Sequence, residues 1–230
     1  APPSGCGRPF KLLGDSERVR TGRAVAGRSS RELVLASQSP RRQQLLRSIG
    51  LEIDVRPADV DESWHDGEAP RSYVERVAAA KAMKVARALV DDRSTCVLAA
   101  DTTIDLDGTI LAKPAVDADA RHMLERLSGR THQVHTAVFG RTADGEHAVT
   151  VTTDVTFARL SDDGIDWYLS VGEHRDKAGA YAMQGAGGAL VHRIDGSPSN
   201  VIGLPLAETI DVLRACGVGV VGSEPSDDRR

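Results

Sequence analysis

The residues best suited to chemistry fall in five short stretches. The first is Ala36-Ser37-Gln38-Ser39-Pro40-Arg41-Arg42. Two hydroxyls and two guanidinium groups meet there at what reads as a helix start. Free backbone N–H groups and the helix dipole attract an anion at such a point, and guanidinium forks match phosphate oxygens. The same residues would also make a capped surface helix with two solvated arginines, and spacing alone does not separate the two readings.

The second stretch, Asp59-Val60-Asp61-Glu62, groups three acids after an extended segment. Grouped carboxylates hold hard cations such as Mg²⁺, although a solvated acidic loop has the same composition. The third feature is a single residue, Lys81. At about 100° per residue, Val74, Val77, Ala78, Val85 and Ala88 all fall within about 60° of it on a helix. Lys81 therefore sits at the centre of an apolar stripe, where a lysine is costly unless paired. Either its head snorkels past its neighbours or it reaches an anion in a cleft; the cleft is the expectation.

The fourth stretch is Ala99-Ala100-Asp101-Thr102-Thr103, followed by Asp107-Gly108 and by Ala112-Lys113-Pro114. An aspartate at the end of a buried strand is where α/β proteins often display a functional carboxylate. A two-residue turn at Asp107-Gly108 sets Asp101 opposite Pro114, with Lys113 on the other face. A three-residue loop over Leu106 to Gly108 sets Asp101 opposite Lys113 instead. If both side chains serve one site, the three-residue loop or an equivalent bulge is predicted. The alternative is a cross-strand ion pair of small value.

The fifth stretch runs Asp176-Lys177-Ala178-Gly179-Ala180-Tyr181-Ala182-Met183-Gln184-Gly185-Ala186-Gly187-Gly188. Its glycines allow backbone to approach a ligand closely, and the Gln184 amide is suited to a base edge. A plain loop would look the same. The histidines form no metal-binding spacing, and none is assigned to a metal.

These residues need a scaffold. A buried strand is expected at Leu33 to Ala36, then a helix capped by Ser39 with Pro40 at its first position, ending at Gly50. A short strand fits Glu52 to Val55, and Pro70 opens a long helix through about Val90. Thr95 to Ala100 is a strand leading into the hairpin, and Asp117 to Leu127 is helical. Val134 to Gly140 and Ala148 to Ala158 are strands. Asp162 to Val171 and Ile202 to Cys216 are the last helices. Strands and helices mixed without a regular βαβ beat indicate an α/β fold with a mixed sheet.

The whole chain narrows the function. Its formal charge of −4 and aromatic content of 3% give no general pull toward nucleic acid and few rings for base stacking. No apolar run has the length of a membrane span, and the N-terminal stretch has no apolar core of a secretory leader. The scattered cysteines Cys6, Cys96 and Cys216 offer neither a CxxC metal site nor a disulfide framework. Cytoplasm is the expected compartment, without nucleic-acid or membrane partners. Residues 1–30 read as a flexible Arg-rich extension, 31–220 as one domain, and 221–230 as a disordered tail.

Taken in order, these pieces resemble the Maf family of nucleoside triphosphate pyrophosphatases. The resemblance is carried by Leu35 to Arg42, Val60-Asp61-Glu62, Ala80-Lys81-Ala82, Ala100-Asp101-Thr102 and Ala112-Lys113-Pro114. It continues through Leu127 to His132, Asp176 to Tyr181, Gln184-Gly185 and Asn200 to Leu206. It implies an elongated mixed β-sheet flanked by helices, like that of inosine triphosphate pyrophosphatases, in a cytoplasmic homodimer. It also implies a divalent cation, Mg²⁺ or Mn²⁺, held by Asp101 and Glu62. Asp101 resembles the family's catalytic acid, and Glu62, Lys81 and Lys113 its other charged site residues. Ser37 and Ser39 fall within the phosphate-site motif. Arg41 or Arg42, Thr102 and Gln184 resemble positions tied to substrate choice. Ser-Pro-Arg-Arg with Asp-Thr-Thr is similar to the branch handling dTTP, UTP and modified pyrimidine nucleotides. A nucleoside triphosphate would then yield a monophosphate and pyrophosphate. The rival expectation is a non-enzymatic nucleotide-binding regulator of cell division and septum formation.

Overall fold

The computed structural model describes residues 30–89 and 92–220. The extension expected over 1–30, Ser30 apart, and the tail at 221–230 lie outside the described residues, as does Val90. The elements run β1 (Glu32–Leu35), α1 (Pro40–Ser48), β2 (Asp54–Val55), α2 (Pro70–Ala88), β3 (Thr95–Leu106), β4 (Thr109–Leu111), α3 (Asp117–Leu127), β5 (Thr131–Arg141) and β6 (Glu146–Phe157). They continue with α4 (Asp162–Val171), two 3₁₀ turns (Ala178–Ala180 and Ala186–Leu190), β7 (Val191–Asp195), α5 (Pro198–Ile202) and α6 (Leu206–Ala215). The fold is α/β, a mixed sheet flanked by helices, as the residue patterns predict.

The sheet order is β2-β1-β3-β5-β6-β7, with β4 also paired to β3. β1 runs parallel to β2 and β3, and the remaining pairs are antiparallel. β3 is the organising strand. On one side it pairs with β5 from Val97 to Asp105. On the other side, β1 covers Thr95 to Leu98 and β4 covers Ile104 to Leu106. Between them, residues 99–103 have no strand partner on that side among the described residues. A sheet edge opened where two neighbouring strands diverge is the usual place for a ligand crevice in α/β folds. Asp101 is at its centre.

Alternation along β3 then sorts side chains onto two faces. Cys96, Leu98 and Ala100 pack with Leu46 of α1 and Leu213 of α6 in one core cluster. Val97 and Ala99 face the other way, against Val34, Ala82 and Val85. A further cluster, under α3 and α4, gathers Ile104, Leu124, Leu127, Phe157, Tyr168 and Tyr181. The site lies between well-packed ends, so its backbone is held from both directions.

One sequence expectation changes here. The single helix expected over Ile202 to Cys216 is broken: α5 ends at Ile202, Gly203 adopts φ 122°, and α6 starts after Pro205. The glycine leaves the helical region and the proline cannot continue a helix from before it. Cys96 and Cys216, remote in sequence, lie together in the core as free thiols. The hydrogen bond that Cys96 donates to Cys216, together with burial, pushes the Cys96 thiol up.

Candidate active site

Helix α2 delivers the central cation. Val74, Val77, Ala78, Ala82 and Val85 are buried beside Lys81, and each valine side chain removed from water contributes about 1.5–3 kcal/mol. That packing fixes the helix rotation and carries Lys81 inward with it. Lys81 is only 7% exposed, and its Nζ lies 2.7 Å from Asp101 Oδ1 and 2.7 Å from Glu62 Oε1. The head is paired in a cleft and does not snorkel. Asp101 is reached because the odd-numbered residues of β3 face α2.

Glu62 comes from the loop between β2 and α2, and α2 itself restrains that loop. Tyr73 donates its hydroxyl to the Glu62 carbonyl at 2.9 Å. Arg76 makes a two-pronged bond to Glu68, 2.7 Å at each oxygen, and donates to the Ser63 carbonyl at 2.8 Å. Of the acids at 59–62, only Glu62 joins the site. The Asp61 carboxylate accepts the Ser63 amide at 2.8 Å, and Asp59 gives its carbonyl to Lys84.

One lysine therefore bridges two carboxylates whose surroundings differ. Asp101 is 6% exposed. Its burial raises its pKa above the ordinary range, and the opposing attraction of Lys81 and Arg42 does not cancel that. The Glu62 side chain is 41% exposed. Burial is again the largest single influence on it, but the hydrogen bond and charge of Lys81, with Lys113 and Arg42, together hold its pKa below the ordinary value. Two carboxylates pushed in opposite directions are what a proton acceptor and a permanently charged partner require.

The two arginines of Ser-Pro-Arg-Arg part company. Arg42 is buried and acts as a tie between elements. Its Nε donates to the Gly203 carbonyl at 2.9 Å, Nη1 to Ser37 Oγ at 3.2 Å and Nη2 to Thr102 Oγ1 at 3.0 Å. Thr102 in turn meets Thr136 Oγ1 at 2.9 Å, and Thr136 donates to the Asn200 carbonyl at 3.1 Å. Arg41 has no protein partner among the described residues, and its Nε is buried without one. Of the pair, Arg41 is the one with donors to spare for a ligand. Ser39 stands at the N-cap as expected but makes no side-chain cap bond. Ser37 Oγ accepts the Ser39 amide at 3.2 Å instead.

The hairpin prediction needs correction. Asp107 (φ 56°) and Gly108 (φ 79°) form a two-residue turn, and Leu106 pairs with Thr109. The three-residue loop is not formed, because both turn residues tolerate the left-handed region that such a turn needs. Pairing stops at Leu111, so the register no longer dictates where Lys113 points. Lys113 is exposed on the loop after β4, and its charge helps to lower the Glu62 pKa.

The glycine-rich stretch is also used differently. The Glu173 carboxylate accepts the amides of Ala186 at 3.0 Å and Gly187 at 3.2 Å. A Cβ on Gly185 would come within 2.1 Å of Glu173 Oε1. These glycines admit a protein carboxylate where a ligand was expected. Gln184, next to them, is exposed. Sequence reasoning did not mark Lys177 as a site residue, yet burial and then the charges of Arg41 and Lys113 lower its pKa.

Among the described residues, no group of three or more His, Cys, Asp or Glu is placed to hold a metal. Asp101 and Glu62 together supply two hard carboxylates, of which Lys81 engages one oxygen each. Mg²⁺ commonly takes one or two carboxylates and completes its shell with water and substrate phosphates. The donor set fits a cation that arrives with a phosphate ligand. A groove of about 590 Å³ lies between α2 and the β5–β6 ribbon. Its charged lining residues Arg71 and Glu75 pair with each other at 3.1 Å, which leaves the reactive groups at the β3 gap.

The chain is similar to known proteins along most of its length. The family model described as Maf-like protein matches residues 32–216. A dTTP/UTP pyrophosphatase of Anaeromyxobacter dehalogenans (strain 2CP-C) is 53% identical over 197 residues, 84% of this chain and 98% of that protein. One from Methylobacillus flagellatus is 48% identical over 192 residues, 84% and 96% of the two chains. One from Myxococcus xanthus is 49% identical over 188 residues, 81% and 93%. The solved Staphylococcus aureus Ham1 protein overlaps 56% of this chain and 72% of its own, at 21% identity and a TM-score of 0.42. With the family model spanning β1 to α6 and relatives of this similarity along nearly their whole lengths, the chain belongs to the Maf-like protein family.

Proposed function

We propose that this protein hydrolyses nucleoside triphosphates, dTTP and UTP and their modified pyrimidine counterparts foremost, to a nucleoside monophosphate and pyrophosphate. The observation that carries the proposal is the buried Asp101–Lys81–Glu62 bridge at the open edge of β3, with Arg41 and Lys113 forming no ion pair among the described residues. The names of the similar proteins support the substrate choice.

In this reading Arg41, Lys81 and Lys113 neutralise and orient the triphosphate. Asp101 accepts a proton from water as its oxygen bonds to the α-phosphorus. The bond from that phosphorus to the oxygen bridging to the β-phosphorus breaks, and its electron pair leaves with pyrophosphate. Glu62, kept ionised, holds Lys81 in place between the two carboxylates. Mg²⁺ or Mn²⁺ held by Asp101 and Glu62 would add Lewis-acid charge at the phosphate oxygens. Arg42 and Thr102 shape the floor of the site, and the exposed Gln184 amide suits the base edge. Ser37 fixes the turn before α1, and the Ser39 hydroxyl supplies a phosphate donor. The catalytic unit spans 31–220, and we place it in the cytoplasm as a homodimer.

The test is a panel of nucleoside triphosphates with both products identified. Equal amounts of monophosphate and pyrophosphate, fastest for dTTP or UTP, are expected. Release of inorganic phosphate with a diphosphate would overturn the reaction class.

A further inference from the structure

The cleft is electrically lopsided. At the Asp101 end, Lys81 is matched by two carboxylates. The charges of Arg41 and Lys113 both act on Lys177, and none of the three has a carboxylate within ion-pair distance among the described residues. Lys177 Nζ donates to the Arg175 carbonyl at 3.1 Å, a contact that leaves its charge unmatched. The nearby acids do little to change this. Glu173 is occupied by backbone amides, and Asp176 and Glu173 only partly oppose the repulsion that Lys177 feels.

The backbone holds Lys177 there at a conformational cost. Asp176 (φ 58°), Gly179 (φ 63°) and Ala180 (φ 61°) all lie in the left-handed region, and for the aspartate and alanine that is unfavourable. The Gly179 amide donates to the Ala112 carbonyl at 3.2 Å, which fastens the segment beside Lys113. A side chain on Gly179 would strike Ile104 Cδ1 at 2.5 Å, so the approach to β3 is as close as it can be. Strained backbone maintained by its surroundings marks a segment shaped for a ligand. The buried Nε of Arg41, which has no hydrogen-bond partner among the described residues, is a further donor suited to an anion.

We propose that Lys177 is a further phosphate-binding residue, which with Arg41 and Lys113 grips the β- and γ-phosphates and stabilises the departing pyrophosphate. This rests on the reading of the site as a nucleotide pyrophosphatase. It assigns the two ends of the cleft different tasks: proton transfer at Asp101, and leaving-group charge at Lys177. Cations placed where negative charge accumulates in the transition state contribute to rate as well as to binding.

The test is calorimetric binding of inorganic pyrophosphate and of dTMP to wild type, Lys177→Met and Lys177→Arg, alongside dTTP turnover. Pyrophosphate affinity should fall about 10- to 100-fold in Lys177→Met, the range for one charge-assisted contact, while dTMP affinity changes less than about twofold. Lys177→Arg should recover most of the loss, and kcat/KM for dTTP should follow pyrophosphate affinity. Unchanged pyrophosphate binding in a Lys177→Met protein with native melting behaviour would overturn the assignment. So would equal weakening of both ligands, which is general damage to the fold. Pyrophosphate binding that depends on Lys177 in a protein that never releases pyrophosphate would keep this site and refute the reaction.

Discussion

At the scale of single residues, Asp101 and Glu62 compete for one ammonium group, and their burial decides how they respond to it. Asp101 titrates above the ordinary carboxylate value of 3.8, so kcat/KM should climb with pH along an acid limb that lies above that value. Lys81 is one of the charges that lowers the Asp101 pKa, so Lys81→Met should move the limb to higher pH as well as lower its plateau. A pH profile of each protein measures this, and an unmoved limb would separate Asp101 from the proton transfer. Asp101→Asn should reduce kcat by about 100- to 10,000-fold, the usual contribution of a positioned base, with dTTP still bound.

Lys81 and Asp101 were legible in the sequence because a charged residue in an apolar stripe and a carboxylate ending a buried strand are both costly choices. The same arithmetic would have found the burial of Arg42, which shares its helix face with Leu45 and Leu46; reading the two arginines as a pair concealed it. Lys177 was not legible, because its position depends on left-handed backbone and on a contact with Ala112 that no local pattern announces.

At the scale of elements, the loop bearing Glu62 is the part most open to manipulation. Most of its residues are exposed, and Arg76 fastens it to α2 through Glu68. The hydrogen bond from Arg76 holds Glu68 down to about 2. A depressed carboxylate contributes stability above its unfolded value of 4.5, and that contribution fades as pH falls toward about 2. Arg76→Ala should therefore lower kcat/KM severalfold, and its melting temperature should approach that of wild type as pH drops through this window. Thermal melts at several pH values check the sign; a gap that widens on acidification would contradict the clamp. Helix starts at Pro40 and Pro70 and the strand periods were readable from local residues. The α5–α6 break had a signal too, since Gly203 and Pro205 stand two residues apart. The short β7 had little, because alternation over five residues is weak and its place is set by pairing with β6.

At the scale of the whole molecule, the sheet and its helices form a frame around a gap in β3, and packing far from the gap should affect stability more than chemistry. Gly140 on β5 shows this. A Cβ there would meet Cys216 Sγ at 2.6 Å and Val212 Cγ1 at 2.9 Å, so α6 sits directly on its backbone. Gly140→Ala should destabilise the fold by about 1–3 kcal/mol through overpacking and leave kcat of the folded fraction unchanged. Chemical denaturation and active-site-normalised rates test both parts. The α/β class was visible from element order alone, whereas the gap between β1 and β4 was not. It arises from two strands pairing with different halves of β3, a long-range fact that residue spacing does not encode.

The central claim is that water attacks the α-phosphorus, with Asp101 taking its proton and pyrophosphate leaving. Hydrolysis of dTTP in ¹⁸O-labelled water, with mass analysis of both products, tests it most directly. The account predicts one labelled oxygen in the dTMP formed and none in the pyrophosphate. Label in the pyrophosphate, or in inorganic phosphate released beside dTDP, would contradict it.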